Sequence, residues 1–404
     1  MTSKDLPPPG APWKVALILA IKLTLALRIG LGVVMAAAWL TAEKYIDTAQ
    51  FNDPDIYGKL PMPSSLLGKL LLGVWPRWDG VHHLNLAMRG YFDLSVGDSV
   101  FYPLYAGLTR LAAFLTGGEY ILAGLIISTL ATITVLTFIK LLGERLFGEK
   151  AGTWAAIALA IYPLSVFMVA PFTESLFLAL TLAAFWAAYE RKWGLAALLS
   201  LLASLTRGPG MAASLAFAVM AWMEWKAAGG KLRIGTWLAI LAALAAPIAG
   251  GAAFLLWRAW AGFPPITDVL ADYVGTRVVD PLTGLVRAVT QWVQVRDLPT
   301  TLDVVSVALF IGITVLMVVR PRWRKWELVA YMAGSLVVLL SRSTEGAASL
   351  KSISRYVLVL FPAFLVAGDW LAGAKRWTRF AVLVLSSAGL VIAGALYALW
   401  FFLG

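Results

Sequence analysis

Long apolar runs separated by short polar segments extend along almost the whole chain. These runs fall at about 13–42, 119–142, 151–170, 174–190, 194–206, 210–226, 234–260, 301–320, 326–342, 355–372 and 377–402. Crossing roughly 30 Å of hydrocarbon takes about 20 helical residues, and backbone groups in lipid must be hydrogen-bonded within the protein. The pattern therefore predicts an all-α, polytopic membrane protein with about 11 transmembrane helices, the first of them retained rather than cleaved.

The charges between the runs predict the orientation of the chain. Lysine and arginine dominate segments such as 320–325 and 375–379, whereas acidic residues outnumber basic ones in 43–100. Basic residues collect on the cytoplasmic side, so we expect the N-terminus inside and the C-terminus outside. The apolar segment 101–117 would invert every later loop if it spanned the membrane, so a juxtamembrane or re-entrant helix is predicted there.

This orientation can be tested by labelling single cysteines, because the chain has no cysteine of its own. Gly148 and Trp323 are expected inside, while Asp55 and Thr283 are expected outside. An impermeant thiol reagent applied to intact cells should therefore modify a cysteine at 55 or 283 and leave one at 148 or 323 untouched. Labelling of position 148 from outside would contradict the orientation.

The first extracytoplasmic loop, 43–118, is predicted to contain helices of its own. Apolar and small residues alternate over Pro61–Leu72, and Asp79–Arg89 is typical of an amphipathic helix. Both are expected to lie along the membrane as juxtamembrane helices, with Trp75 and Trp78 at the depth of the lipid headgroups.

The composition excludes several classes of protein. A mean hydropathy of +0.81 with 14% charged residues is incompatible with an ordinary soluble domain, which has about 25%. The net charge of +11 is explained by basic cytoplasmic loops, so a nucleic-acid partner is not expected. Without cysteine there are no disulfides, thiolate metal sites or cysteine nucleophiles. We expect residues 1–404 to form a single integral membrane domain.

The densest group of chemically active side chains follows the first apolar run. It contains Arg77, Trp78 and Asp79, together with His82 and His83, which are the two histidines of the chain. On a helix Asp79, His82 and His83 share one face, so Asp79 is a candidate general base assisted by a histidine. The alternative is an interfacial helix whose polar face meets water. No metal site is expected, since adjacent histidines point about 100° apart on a helix.

Three further ionisable residues fall at predicted outer helix ends. Glu174 is either a functional acid or an acidic first-turn residue next to a capping Thr173. Arg207 and Arg355 are candidates for gripping a lipid phosphate with their forked donors. The alternative for both arginines is snorkelling to headgroups or pairing with a nearby acid.

Taken together, these segments resemble the PIG-V family, the mannosyltransferases that add the second mannose to glycosylphosphatidylinositol, and their prokaryotic relatives. The resemblance is carried by Arg77–His82, Ala87–Tyr91, Phe101–Tyr105, Tyr162–Ser165, Thr173–Phe177, Thr206–Arg207, Ser354–Tyr356 and Phe361–Pro362. Two positions depart from the family pattern: Gly80 stands where alanine is more usual, and Gly-Pro-Gly follows Arg207.

The resemblance implies a GT-C type glycosyltransferase that moves a hexose, expected to be mannose, from a polyprenyl-phosphate sugar to an acceptor hydroxyl outside the cytoplasm. It implies that Asp79 is the general base, that the anomeric centre is inverted, and that no cofactor takes part. The implied partners are the lipid donor, a glycolipid or other membrane-proximal acceptor, and membrane lipids, in the plasma membrane of a prokaryote or the endoplasmic reticulum of a eukaryote. The expected site residues are Trp78, Asp79 and His82 for catalysis, and Arg77, His83, Tyr102, Glu174, Arg207, Arg355 and Tyr356 for substrate binding.

A secondary transporter or lipid flippase is the alternative class of function. In that case Asp79, Glu174 and the arginines would line a conduit. Transporters place their coupling groups near the bilayer midplane, whereas the ionisable groups here are predicted at outer helix ends. This placement favours an enzyme that works at the membrane surface.

Overall fold

The structure is a computed structural model that describes residues 11–42, 60–344, 349–401 and 403. The marker position Asp55 and the rest of 43–59 lie outside this part of the chain. The protein is mostly helical (79%). Its longer helices are α1 (Ala11–Ala42), α2 (Asp79–Arg89), α3 (Pro103–Leu115), α4 (Tyr120–Phe147), α5 (Glu149–Ala160), α6 (Glu174–Tyr189), α7 (Trp193–Ser204), α8 (Ala213–Ala227), α9 (Ile234–Trp260), α10 (Ile266–Val274), α11 (Pro281–Val295), α12 (Leu298–Val319), α13 (Trp326–Leu340), α14 (Phe361–Gly373) and α15 (Arg376–Ala398).

Within the described part of the chain, five helices are long and apolar enough to cross a membrane, namely α1, α4, α9, α12 and α15. A sixth crossing is formed if the segments Ile353–Val359 and Phe361–Gly373, which meet at an angle of 75°, are counted as one broken span. Helices α6, α7 and α13 are apolar but have only 16, 12 and 15 residues. At 1.5 Å per residue they fall short of the roughly 30 Å of hydrocarbon, so full-length spans are fewer than the predicted number.

The predicted spans 151–170 and 355–372 are interrupted by irregular backbone. Helix α5 ends at Ala160, and only one short turn, Val166–Val169, follows before α6. Pro163 and Pro171 lack the N–H that a continuing helix requires. Residues 164–173 are buried. Irregular backbone at membrane depth is tolerated where protein covers it, so this segment is an interior part of the fold.

An outer layer of short elements covers one end of the helix bundle. The predicted amphipathic helix is present as α2, and the predicted segment 61–72 contains the short helix Leu66–Gly68 and a π-helical turn, Lys69–Gly73. Two short strands, β1 (Thr276–Val278) and β2 (Arg342–Thr344), pair antiparallel. They join the segment between α10 and α11 to the end of α13.

Trp75 is buried inside the protein, whereas Trp78 is half-buried. Trp75 is 2% exposed, and the Arg28 guanidinium lies 4.5 Å from the centre of its ring. The ring of Trp78 meets Trp400 edge-on at 5.5 Å. The two tryptophans therefore hold the segment before α2 against α1 and the end of α15. For Trp75 this burial corrects the expectation of a side chain at the lipid headgroups.

Candidate active site

The backbone before α2 is shaped so that Asp79 becomes the first residue of that helix. Trp78 has φ 48° and ψ −130°, a conformation that a bulky side chain rarely adopts. Such strain persists only where the surroundings enforce it, and it concentrates at functional positions. The next residue, Gly80, has little room for a side chain, because an added Cβ there would lie 3.0 Å from the ring of Phe172. The departure from the family pattern at Gly80 thus has a steric reason.

Arg77 holds this segment in place. It is 2% exposed, its Nε donates to the Ala398 carbonyl at 3.0 Å, and its Nη1 donates to the Gly73 carbonyl at 2.8 Å. These bonds tie the approach to α2 to the outer end of α15. The expected role of Arg77 in substrate binding is therefore corrected to a positioning role, because its donors are turned to backbone carbonyls.

Arg355 links the two acids of the site. Its Nη2 donates to Asp79 Oδ2 at 2.7 Å, and its Nε lies 3.1 Å from Glu174 Oε1. The Arg355 side chain is 3% exposed and that of Glu174 is 1% exposed, whereas 36% of the Asp79 side chain is exposed. Asp79 is therefore the acid of this group that a molecule from the outer side can reach.

Glu174 also binds the second predicted arginine. Arg207 Nη1 lies 2.6 Å from Glu174 Oε1 and donates to the Thr173 hydroxyl at 3.0 Å. Glu174 is in the first turn of α6, where a negative charge suits the helix dipole. The side chain of Thr173 makes no capping bond to the helix. Glu174 is therefore the first-turn acid that the sequence indicated, without the predicted Thr173 cap, and it is the partner of both Arg207 and Arg355.

Tyr356 lies at the centre of three guanidinium groups. The guanidinium carbons of Arg207, Arg342 and Arg355 are 4.7, 4.6 and 4.7 Å from the centre of its ring. Its hydroxyl accepts a hydrogen bond from Arg355 at 3.0 Å. Arg342 donates to the Lys351 carbonyl and makes no ion pair with any described residue. Sequence reasoning assigned no specific role to Arg342, whose one signal is its position at the end of an apolar run.

The two histidines point in different directions, although the sequence predicted a shared face with Asp79. His82 Nδ1 lies 2.5 Å from Asp98 Oδ1, and Ser95 donates to the other oxygen of Asp98. Burial lowers the pKa of His82, but the bond to Asp98 and its charge outweigh burial and raise it. Asp98 is a further residue of the site that sequence reasoning missed.

His83 is buried among aromatic rings. It is 4% exposed and meets Phe101, Tyr105 and Phe172 edge-on, with ring centres 4.9, 5.5 and 6.5 Å away. Burial lowers the pKa of His83 to about 4, so its imidazole is neutral at physiological pH. Its position supports the packing around Asp79 and not direct contact with a substrate, which corrects the predicted binding role.

The charge state of Asp79 is set by its neighbours. Burial raises the pKa of Asp79, but the charge of Arg355 and the hydrogen bond that Arg355 donates hold it well below its usual range. The side chain is therefore a carboxylate at physiological pH. Such a strongly stabilised carboxylate is a weak base while the ion pair lasts.

Tyr102 lies beside the loop that carries Arg207. Its ring packs on Phe254 with centres 4.5 Å apart, and an added Cβ on Gly208 would lie 3.3 Å from its hydroxyl. Leu104 N donates to the Leu205 carbonyl at 3.0 Å, which fixes the start of α3 against the end of α7. The structure thus places Tyr102 against Gly208, the residue that follows Arg207.

The fold and the site define a mostly helical protein with apolar helices long enough to cross a membrane and a largely buried ionic cluster. No protein-family model matches this chain, and no curated protein sequence matches it significantly.

Proposed function

We propose that the protein is a GT-C type glycosyltransferase similar to the PIG-V family, with about 11 membrane-crossing segments when short and broken helices are counted. It would move a hexose, mannose in the first instance, from a polyprenyl-phosphate sugar to a hydroxyl of a lipid-linked or other membrane-proximal acceptor. One observation carries the proposal: a reachable carboxylate, Asp79, is joined to a group of three guanidiniums around Tyr356. This arrangement supplies a base and an anion site together.

The transfer would be a single displacement. The acceptor oxygen attacks the anomeric carbon as the bond from that carbon to the phosphate oxygen breaks, and the hydroxyl proton passes to Asp79. The polyprenyl phosphate leaves with the bonding electron pair, and its added negative charge is stabilised by Arg207, Arg342 and Arg355. Fixed cations in a site shielded from water stabilise developing charge strongly, because they need no reorganisation during the reaction. Attack opposite to the leaving group inverts the anomeric centre.

The ion pair between Arg355 and Asp79 links donor binding to base strength. A lipid phosphate that approaches Tyr356 competes with Asp79 for the Arg355 fork. As Arg355 turns toward the phosphate, Asp79 loses its strongest stabilising charge and its proton affinity rises toward that of an effective base. Glu174 keeps its place because it is 1% exposed and paired to Arg207.

A transporter or lipid flippase is the second candidate, and the broken helices favour it. The 75° break at Leu360 and the irregular segment 161–173 both lie next to the ionic cluster. Transporters build their substrate sites from such discontinuous helices. A transporter would move the lipid without making a product, so product formation separates the two candidates.

The decisive experiment is incubation of the purified protein with radiolabelled polyprenyl-phosphate mannose or polyprenyl-phosphate glucose and a membrane lipid extract. The expected result is a new labelled lipid whose mass exceeds that of its acceptor by one hexose residue. If no labelled product forms with either donor while proteoliposomes still move the lipid across the bilayer, the glycosyltransferase proposal is wrong.

Replacing Arg207 or Arg355 with lysine should lower the affinity for the lipid-phosphate donor at least tenfold. Lysine keeps the charge but loses the fork that reaches two oxygens at once, and a loss of about 1.4 kcal/mol is tenfold in affinity. Binding of a fluorescent polyprenyl-phosphate sugar measures the change. Arg145→Lys, in the exposed pair with Glu190, is the matched control and should bind like the parent. If both site variants also do so, these arginines are structural.

A further inference from the structure

A cation inside the membrane-spanning helix α1 points to a second site, separate from the ionic cluster. The side chain of Arg28 is partly buried, and its Nη2 donates to the Leu125 carbonyl at 3.0 Å and to the Thr129 hydroxyl at 2.6 Å. Its Nη1 is buried and has no hydrogen-bond partner in the described part of the chain. Ionisable residues at membrane depth are costly and usually serve a function.

No carboxylate of the described residues neutralises Arg28. Its contacts are two oxygens of α4 and the face of Trp75, with the guanidinium 4.5 Å from the ring centre. A largely desolvated guanidinium without a counterion favours binding of an anion from outside the protein.

A groove of about 320 Å³ adjoins this guanidinium. Apart from Arg28 and Thr129 its lining is apolar, with leucines of the outer loop on one side and residues of α4 on the other. Leu71 is 60% exposed and Ile126 is 37% exposed, so the groove is open on the outer surface of the bundle. That surface faces hydrocarbon in a membrane, and an acyl chain fits such a lining.

The partners of Arg28 lie in the first half of α4. Leu125 and Thr129 are five and nine residues after Tyr120, where α4 begins. At 1.5 Å per residue they are roughly 8 to 14 Å from that end of the helix. The turn before α4 contains Gly117, Gly118 and Glu119. A bound phosphate would have to lie below this turn, and the long arginine side chain can extend toward it.

Buried aromatic residues separate this groove from the ionic cluster. The Tyr397 hydroxyl donates to the Trp75 carbonyl at 2.7 Å, and the side chain of Tyr397 is fully buried. Its ring packs against Phe167 and Phe172, which in turn lie against the guanidinium of Arg355. A lipid in the groove would thus be divided from Asp79 by packed side chains and would take no part in the reaction.

We propose that the groove at Arg28 binds the phosphate of an anionic membrane phospholipid, with one acyl chain along its apolar lining. The phosphate supplies the negative charge that the Arg28 guanidinium lacks, and the acyl chain lies beside Trp75, which also lines the groove. Because Trp75 lies two residues before Arg77, the same lipid stabilises the segment that positions Asp79. The site does not depend on the glycosyltransferase proposal.

Native mass spectrometry of the full-length protein in nanodiscs with equal amounts of phosphatidylglycerol and phosphatidylcholine tests this site. The parent should retain phosphatidylglycerol several-fold more than phosphatidylcholine. Arg28→Gln removes the cation and Ile126→Trp fills the groove while leaving the cation in place, so both should lose the preference. Arg110→Gln removes an exposed arginine of α3 outside the groove and should keep it.

Thermal unfolding gives a second measurement on the same proteins. Added phosphatidylglycerol should raise the melting temperature of the parent and of Arg110→Gln more than that of Ile126→Trp, since a ligand stabilises only the state that binds it. The proposal is overturned if the parent shows no preference, or if a folded groove variant keeps it. Displacement of phosphatidylglycerol by an equal amount of polyprenyl phosphate would also overturn it and assign the groove to a prenyl lipid.

Discussion

Asp79→Asn is expected to lower sugar-transfer turnover by roughly 10² to 10⁴ while donor binding survives. Asparagine keeps the size and hydrogen-bonding shape of the side chain but cannot accept the acceptor's proton. Arg355 still pairs with Glu174 in the variant, so the anion site remains charged. Turnover is measured with saturating labelled donor and acceptor extract, and donor affinity is measured separately by binding of a fluorescent donor.

Three variants control for effects that are unrelated to the base. Asp280→Asn makes the same change at an exposed helix cap of the outer layer, where asparagine caps equally well, and should leave turnover unchanged. His82→Ala and His83→Ala should cost less than Asp79→Asn, because one histidine is paired to Asp98 and the other packs among rings. Near-parental turnover of Asp79→Asn at equal folding yield would falsify the assignment of this residue as base.

The second large effect is expected on stability. Glu174→Gln should lower the free energy of unfolding by about 3 kcal/mol, because removing one partner of a buried ion pair leaves the other charge uncompensated. The variant leaves Arg207 without an acid partner among the described residues and Arg355 with Asp79 alone. Equilibrium unfolding in detergent micelles measures the change, with donor binding as an independent check on the shape of the site.

The exposed pair Arg145–Glu190 offers the matched control. Its side chains are 39% and 38% exposed, and such pairs contribute less than about 1 kcal/mol. Glu190→Gln should therefore change the free energy of unfolding by less than that amount. An equal decrease in the free energy of unfolding for Glu174→Gln and Glu190→Gln would mean that the ionic cluster is not a buried, tightly coupled arrangement.

The sequence predicted the individual helices well where an apolar run is uninterrupted. The predicted span 234–260 matches α9, and the predicted span 174–190 differs from α6 by one residue. The amphipathic pattern after Trp78 likewise predicted α2. These features are local: the spacing of apolar residues and the charges at the ends of a run decide whether and where a helix forms.

The sequence also found most members of the site, since charged residues in an apolar chain are conspicuous. Asp79 was named from the polar cluster after the first apolar run, and Glu174, Arg207 and Arg355 from predicted outer helix ends. The structure brings the four together. Mean hydropathy does not reveal the breaks at 161–173 and Leu360, because both lie within apolar runs, although Pro163, Pro171 and Pro362 are local signals for a break.

Only the tertiary structure decided which charges meet. Arg355 pairs with Asp79, which lies 276 positions earlier in the sequence. Arg342, the first residue of β2, places its guanidinium 4.6 Å from the centre of the Tyr356 ring. His82 and His83, adjacent in sequence, go to an acid and to an aromatic pocket because different elements pack on each side of α2. Local pattern fixes the direction of a side chain on its own helix, but its partners are set by the packing of distant segments, which no local pattern encodes.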